Sequence, residues 1–305
     1  MFFTNINLLT MVGAILLLAV LMIVNHLTAN SKKLSVLVYL IFPIVMTLFV
    51  WPRLAGGNVG GTWFAWVKTY LALAGVLIFM GIRYNKKLAQ NKLMLMLPTA
   101  ILAINILEAV VADLQTANKT GQVVAGLTYH GGPWNIINAI AGIILIITIT
   151  GTFGIKVANT PSKDMVWADM GWPWIIAYDL WNISYCYNCI ANRSFYAGMI
   201  LILSCTFSEF FIKRGIWLQH RAQTLALFAM FSLTVDYSST SLFQITSTHA
   251  ATPKMILAVL SLLANIGVLL YEVIVIKRSK RNPLTDEIYV ETNFYQQNLE
   301  ANNLA

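Results

Sequence analysis

The chain has 305 residues, 58% of them hydrophobic and only 10% charged, with a mean hydropathy of +0.70. A water-soluble domain carries about 45–50% apolar and about 25% charged residues, so this composition excludes a secreted disulfide scaffold and a soluble enzyme with a grafted anchor. The long apolar runs also exclude a transmembrane β-barrel, whose strands alternate with period two, and they predict an all-α, polytopic transmembrane helical bundle.

Taken in chain order, the runs long enough to cross a bilayer predict nine spans, near residues 7–29, 34–51, 63–83, 93–112, 134–157, 172–190, 194–213, 223–245 and 254–277. No charge precedes Lys32, so the first run lacks the basic segment of a secretory signal and is expected to be retained. Lys and Arg are kept preferentially on the cytoplasmic side of short loops. Of the twenty here, only Arg53, Lys68, Lys119, Arg193 and Lys254 fall in even-numbered connections; the others fall in odd-numbered ones or after the last span. This alternation predicts the N-terminus outside and the C-terminus inside, in a bacterial cytoplasmic membrane. It also explains the formal charge of +8 without a nucleic-acid partner. The polar stretch over 278–305 is expected to be a frayed cytoplasmic tail.

Few sequence features suggest catalysis. GGNVGGTW lacks the Lys-Ser/Thr of a phosphate-binding loop. Cys186 and Cys189 form a CxxC inside a span, without a second CxxC or a nearby His pair, so buried inert thiols are expected and a redox or metal role is the alternative. His26, His130, His220 and His249 form no metal-binding spacing. No metal and no cofactor is expected.

Ionisable groups inside a span usually face a bundle interior or a water-filled path. Glu209 is expected to pair with Lys213, Glu272 to lean on the basic cluster from Lys277, and Asp113 and Lys68 to be solvated near the outer interface. No local cation accounts for Glu108, Asp179 and Asp236, which are therefore the candidates for proton or cation coupling. In GWPWIIAYDLWNISYCYNC, helical spacing places Asp179, Asn182, Cys186 and Cys189 on one stripe and Tyr178, Trp181, Tyr185 and Asn188 on the next. With Trp172, these residues could stack a flat ring and bond its polar edge; interfacial aromatics and an interhelical amide clamp are the alternative. Ser232, Asp236, Ser239 or Thr240, and Gln244 recur at helical spacing in the eighth run. Asn105 and Glu108 share a face in the fourth, and Asn135 and Asn138 follow Pro133 and Trp134 in the fifth, as a candidate polar lining.

Nine spans starting outside would give helices one to three and five to seven the same orientation, a three-plus-one-plus-three plan with two extra helices. Pro43 and Pro173 in the two middle helices, and Arg53 with Gly56 and Gly57 against Arg193 with Ser194, are the signs of it. The stretch from Trp134 to Lys213 carries W-N-I-I-N-A-I-A-G, G-W-P-W-I-I and S-F-Y-A-G-M-I-L-I at three helix starts. Over these 80 or so residues the chain resembles the three-helix unit of PnuC-type vitamin-precursor (nicotinamide riboside) transporters and, distantly, SWEET sugar facilitators. The resemblance implies facilitated diffusion of a small polar or aromatic metabolite between two three-helix units, with Trp172, Pro173, Trp181, Asn182 and Tyr185 as the matching pathway residues. Cys205–Phe211 departs from that family's Trp-rich third helix, and Asp179 and Asp236 lie outside its pattern. The expected function is transport of a vitamin precursor, nucleoside or sugar, with homo-oligomerisation left open. The alternatives are an intramembrane enzyme using paired carboxylates on a lipid or isoprenoid, and a ligand-binding receptor.

Overall fold

The computed structural model describes every residue except 55–62, 125–126, 191–192 and 238, and at 63–64, 123–124 and 127–128 it describes the backbone alone. Gly56 and Gly57 of the expected repeat lie outside the described residues. The fold is 73% helical. Its helices are α1 (Leu8–Asn30), α2 (Lys32–Leu54), α3 (Trp63–Tyr84), α4 (Lys92–Ala117), α5 (Pro133–Ile147), α6 (Trp172–Cys189), α7 (Phe195–Ile212), α8 (Trp217–Thr234), α9 (Ala251–Ser279) and α10 (Asn293–Glu300).

Local chemistry sets many of these ends. Asn7 and Thr10 cap α1 reciprocally, each side chain accepting from the other's backbone N–H at 3.0 Å. Asn91 accepts from the N–H of Leu93 at 3.0 Å to open α4. Proline at the first or second position starts α5 and α6. In α2, π-helical stretches at Leu37–Ile41 and Met46–Val50 flank Pro43, whose ring removes a backbone donor.

Among the described residues, six helices are long and apolar enough to cross a membrane: α1, α2, α3 from Ala65, α4, α7 and α9. Their outward faces are apolar: Leu8, Leu16, Leu48, Leu71, Ile104, Leu263 and Leu270 are all more than half exposed. A soluble chain would bury such side chains at about 25 cal/mol per Å²; here the surface is compatible with an integral membrane protein. α6 and α8 are more polar and lie largely inside, wrapped by the others. α4 packs on α5, α9 runs against both α5 and α6, α3 packs on α8, and α1 on α7 and α8. These contacts cross the expected three-plus-one-plus-three units, since the two extra helices, α8 and α9, are built into them.

Two expected spans are shorter than their apolar runs. α5 ends at Ile147 rather than 157, because Thr148 Oγ1 turns back to the carbonyls of Ile144 and Leu145 and Gly151 takes a left-handed φ of 63°. Beyond it β1 (Lys156–Val157) pairs antiparallel with β2 (Met165–Val166). The eighth run, read as 223–245, is α-helical only to Thr234, with a single 3-10 turn at Ser241–Phe243. The hydroxyls of Ser239 and Thr240 fold back on the Asp236 carbonyl at 3.4 and 2.7 Å, satisfying a local turn in place of a helix. Thr246–Ser247 then pairs antiparallel with Phe3–Thr4.

The end of the bundle that carries the 148–171 loop is held by a buried latch. Arg83, from α3, donates through Nη2 to the carbonyls of Ala29 (2.6 Å) and Ser162 (2.7 Å) and to Asp164 Oδ1 (3.1 Å). Asp164 also accepts from Ser162 (2.5 Å), Gln219 (2.7 Å) and Lys213. α3, α8, the residue that ends α7 and the loop therefore meet at one carboxylate, and Arg83 ties α1 to them.

The C-terminal stretch is packed rather than frayed. Tyr289 N–H donates to Asp169 Oδ1 at 2.8 Å, Asn298 Nδ2 to the Ala168 carbonyl at 3.1 Å, and Asn302 Nδ2 to the Arg214 carbonyl at 2.8 Å. Ile288, Tyr289 and Tyr295 are buried with Ala168. A Cβ at Gly171 would collide with the Phe294 ring, and Gly215 takes a left-handed φ of 81° close under Asn298, so these glycines make room for the tail. A polar composition alone suggested disorder; regularly placed Ile288, Tyr289, Phe294 and Tyr295 supply the apolar anchor that outweighs it.

Candidate functional site

The site develops along α6. Its N-terminal Trp172 is 58% exposed and points away from the bundle, so it does not join the lining expected of it. From Trp174 onward the helix turns inward: Tyr178, Asp179, Trp181, Asn182 and Asn188 are all at most 7% exposed. The aromatics form a continuous ladder in which Trp174 stacks on Tyr178 (ring centroids 5.4 Å apart), Tyr178 meets Trp181 (5.6 Å) and Trp217 (4.9 Å), and Trp181 stacks on Tyr185 (6.1 Å). Gly142 of α5 lets this ladder close, because a Cβ there would sit 2.7 Å from Trp181 Nε1.

Polar groups thread the ladder. Asp179 Oδ2 accepts from Thr206 Oγ1 on α7 at 2.7 Å, and Trp217 Nε1 donates to the same hydroxyl at 3.4 Å. Arg221 of α8 donates to the Tyr178 hydroxyl at 3.3 Å. Asn265 of α9 donates to the Ala177 carbonyl at 3.4 Å. What these groups leave over is as informative as what they bond. Asp179 Oδ1, Trp181 Nε1, Asn188 Oδ1, Arg221 Nη1, both polar atoms of Gln223 and Asn265 Oδ1 are buried without a hydrogen-bond partner among the described residues. Native interiors leave few such atoms, each costing about 1–3 kcal/mol; others, such as Trp134 Nε1 and Asn138 Oδ1, lie elsewhere in the fold, but these seven are on α6 and on α8 and α9, which each touch α6.

A second polar cluster lies at the C-terminal end of α6. Asn135 and Asn138 of α5 donate to the two oxygens of Asp113 at 2.7 and 2.8 Å, and Cys189 Sγ donates to Asp113 at 3.3 Å. Asp113, expected to be solvated, is fully buried, as are both asparagines. The pair Asn135 and Asn138 thus clamps a carboxylate at the α4–α5–α6 junction. Lys254 is also fully buried; it donates to the His130 carbonyl at 2.7 Å and lies 5.2 Å from the Trp134 ring centre. Beside it His130 stacks on His249 at 4.7 Å. Burial, the His130 ring and the Lys254 charge hold His249 down to about 4, so it is neutral at pH 7.

The remaining acids fall elsewhere. Glu108 pairs with Lys68 of α3, both about half exposed, so a local cation does account for it. Asp236 lies beyond the end of α8 with Arg193 nearby, and no helical stripe joins it to Gln244. Glu108, Asp179 and Asp236 therefore sit in three separate packing environments. Glu209 does not pair with Lys213; it accepts from the N–H groups of Gly215 (2.5 Å) and Ile216 (3.1 Å) at the start of α8, while Lys213 serves Asp164. Glu272 faces Asp169 and Tyr289 rather than the Lys277 cluster. Cys186 and Cys205 are buried free thiols, Cys189 is a partly buried one, and no group of three metal-ligating side chains occurs among the described residues.

Arg221, Thr206, Gln223 and Asn265 escaped the sequence reading. Placing the eighth span from 223 put Arg221 and its neighbours in a loop, although Trp217 five residues before Ala222 already signals an earlier helix start.

A family of unknown function, DUF5692, matches residues 4–301, so the chain belongs to that family. Neither the comparison with curated proteins nor that with solved structures finds a match.

Proposed function

Proceeding from membership of a family without an assigned activity, we propose that this chain is a membrane transporter for a small polar metabolite with a flat ring, of the vitamin-precursor, nucleoside or sugar class. In this reading it crosses the membrane nine times, N-terminus outside and C-terminus inside, and α6 lines the path. The six longer apolar helices and the Ile136, Ile140, Ile143 and Ile147 stripe of α5 face lipid, while α6 and α8 are the polar helices such a bundle keeps inside.

The observation that carries the proposal is the run of unpartnered buried polar atoms on α6, α8 and α9 beside the aromatic ladder. A ring sliding against Trp181 and Tyr185 would find donors in Trp181 Nε1 and Arg221 Nη1, and acceptors in Asp179 Oδ1 and Asn188 Oδ1. Asp179 is the candidate coupling residue; Glu108, engaged by Lys68 at the surface, is not.

The test is uptake into proteoliposomes across a panel of nucleosides, vitamin precursors and sugars. One class is expected to be taken up, and Asp179→Asn to lower the rate at least tenfold while Lys119→Ala, on the surface, leaves it unchanged. Uptake of no panel member above empty liposomes, or an undiminished rate in Asp179→Asn, contradicts the proposal.

A further inference from the structure

Between the start of α6, the last turns of α9 and the docked tail lies a small cavity of about 10 Å³, the room of a single water. Two acids line it, Asp169 and Glu272, with Thr150, Trp167, Trp174 and Tyr289 around them. Both acids are buried, Glu272 at 4% exposed and Asp169 at 2%.

The donors around this cavity are spoken for. Trp167 Nε1 donates to the Thr150 carbonyl at 3.0 Å and Trp174 Nε1 to the Leu145 carbonyl at 3.3 Å, so neither indole N–H serves a carboxylate. Thr150 Oγ1 and Tyr289 N–H both donate to Asp169, each at 2.8 Å. Thr148 Oγ1 donates to helix carbonyls. Tyr289 lines the cavity beside the Glu272 carboxyl, yet Glu272 Oε1 is left buried without a partner among the described residues. No Lys or Arg lines the cavity. Two carboxyl groups, threonine oxygens and aromatic walls thus surround a space the size of one water, with no cationic side chain among them.

We propose that this cavity is a binding site for one monovalent metal cation, sodium, held by the carboxylates of Glu272 and Asp169 and by threonine oxygen. Hard cations take oxygen ligands of this kind. A space the size of one water admits a single small ion. Trp174 joins the cavity to the ladder, since it stacks on Tyr178 one turn along α6, and Tyr289 ties the site to the tail. The inference stands independently of the transport proposal, because it concerns a different cavity and is read by binding alone.

The test uses the full chain in detergent at pH 7.5, with thermal unfolding followed as sodium chloride replaces choline chloride at constant ionic strength. The unfolding temperature of the wild type is expected to rise with sodium and to saturate, as ligand linkage requires. Glu272→Gln removes that dependence, and Glu291→Gln, on the exposed tail, keeps it. Equal stability in sodium and choline, or a sodium response retained by Glu272→Gln, overturns the proposal. Equilibrium dialysis of radioactive sodium against the wild type needs no variant: about one ion retained per chain supports the site, and none above the detergent blank rejects it.

Discussion

Arg83→Ala is expected to destabilise the protein by about 3–5 kcal/mol, because it leaves Asp164 charged, buried and short of its main partner. The variant should melt well below wild type in detergent, and Asp164→Asn, which keeps acceptor geometry for Gln219 and removes the charge, should lose less. The same latch has a pH signature. Burial by itself would raise the Asp164 carboxyl, but the Arg83 charge and the hydrogen bonds from Lys213, Ser162 and Gln219 outweigh it and hold the group below its usual range. A carboxylate depressed in the folded state contributes stability in full above the ordinary carboxylate range. That contribution is lost as pH falls through the lowered folded-state value, so acid should weaken wild type and leave Asp164→Asn less affected. Equal acid sensitivity of the two chains, measured as unfolding temperature from pH 7 to pH 3, would show that the latch is not the acid-labile element.

Asp113→Ala carries the next largest expected loss, about 2–4 kcal/mol. It leaves the side-chain amides of Asn135 and Asn138 without an acceptor and takes away the thiol's partner at Cys189. The loss differs in kind from that at Arg83, since it loosens the junction of α4, α5 and α6 instead of the loop end. Cys189 should become more reactive toward a membrane-permeant maleimide in Asp113→Ala than in wild type, while Cys205, held among buried residues, stays protected. Unchanged labelling of Cys189 would place the clamp elsewhere.

Much of this architecture is legible in the sequence because apolar run length is a strong signal. The bounds of α1, α3, α4, α6, α7 and α9 fall close to their runs, and Tyr178 and Trp181 of one expected stripe and Asp179 and Asn182 of the other are buried. The misreadings share a physical cause. Hydropathy counts Ile149, Ile155 and Phe243 as membrane-like, but a neighbouring Thr or Ser with a spare hydroxyl, or Gly151 with φ of 63°, ends the helix first. The pairing of charges is also invisible to spacing. Glu209 and Lys213 are four apart on one helical run, yet each finds a better partner from another element: the backbone donors before α8 for one, Asp164 for the other. Asp113 looks solvated from its place near a helix end, and only the fold brings Asn135 and Asn138 over it.

The claim that α6 carries a ligand is tested most directly by what the purified protein retains. Native mass spectrometry, with small-molecule extraction of the detergent-purified chain, should find a nucleoside, vitamin precursor or sugar on wild type. That molecule should be lost from Trp181→Ala, which keeps the latch and the tail but removes the centre of the ladder. A wild-type chain that holds only lipid or isoprenoid, retained equally by Trp181→Ala, would contradict the account.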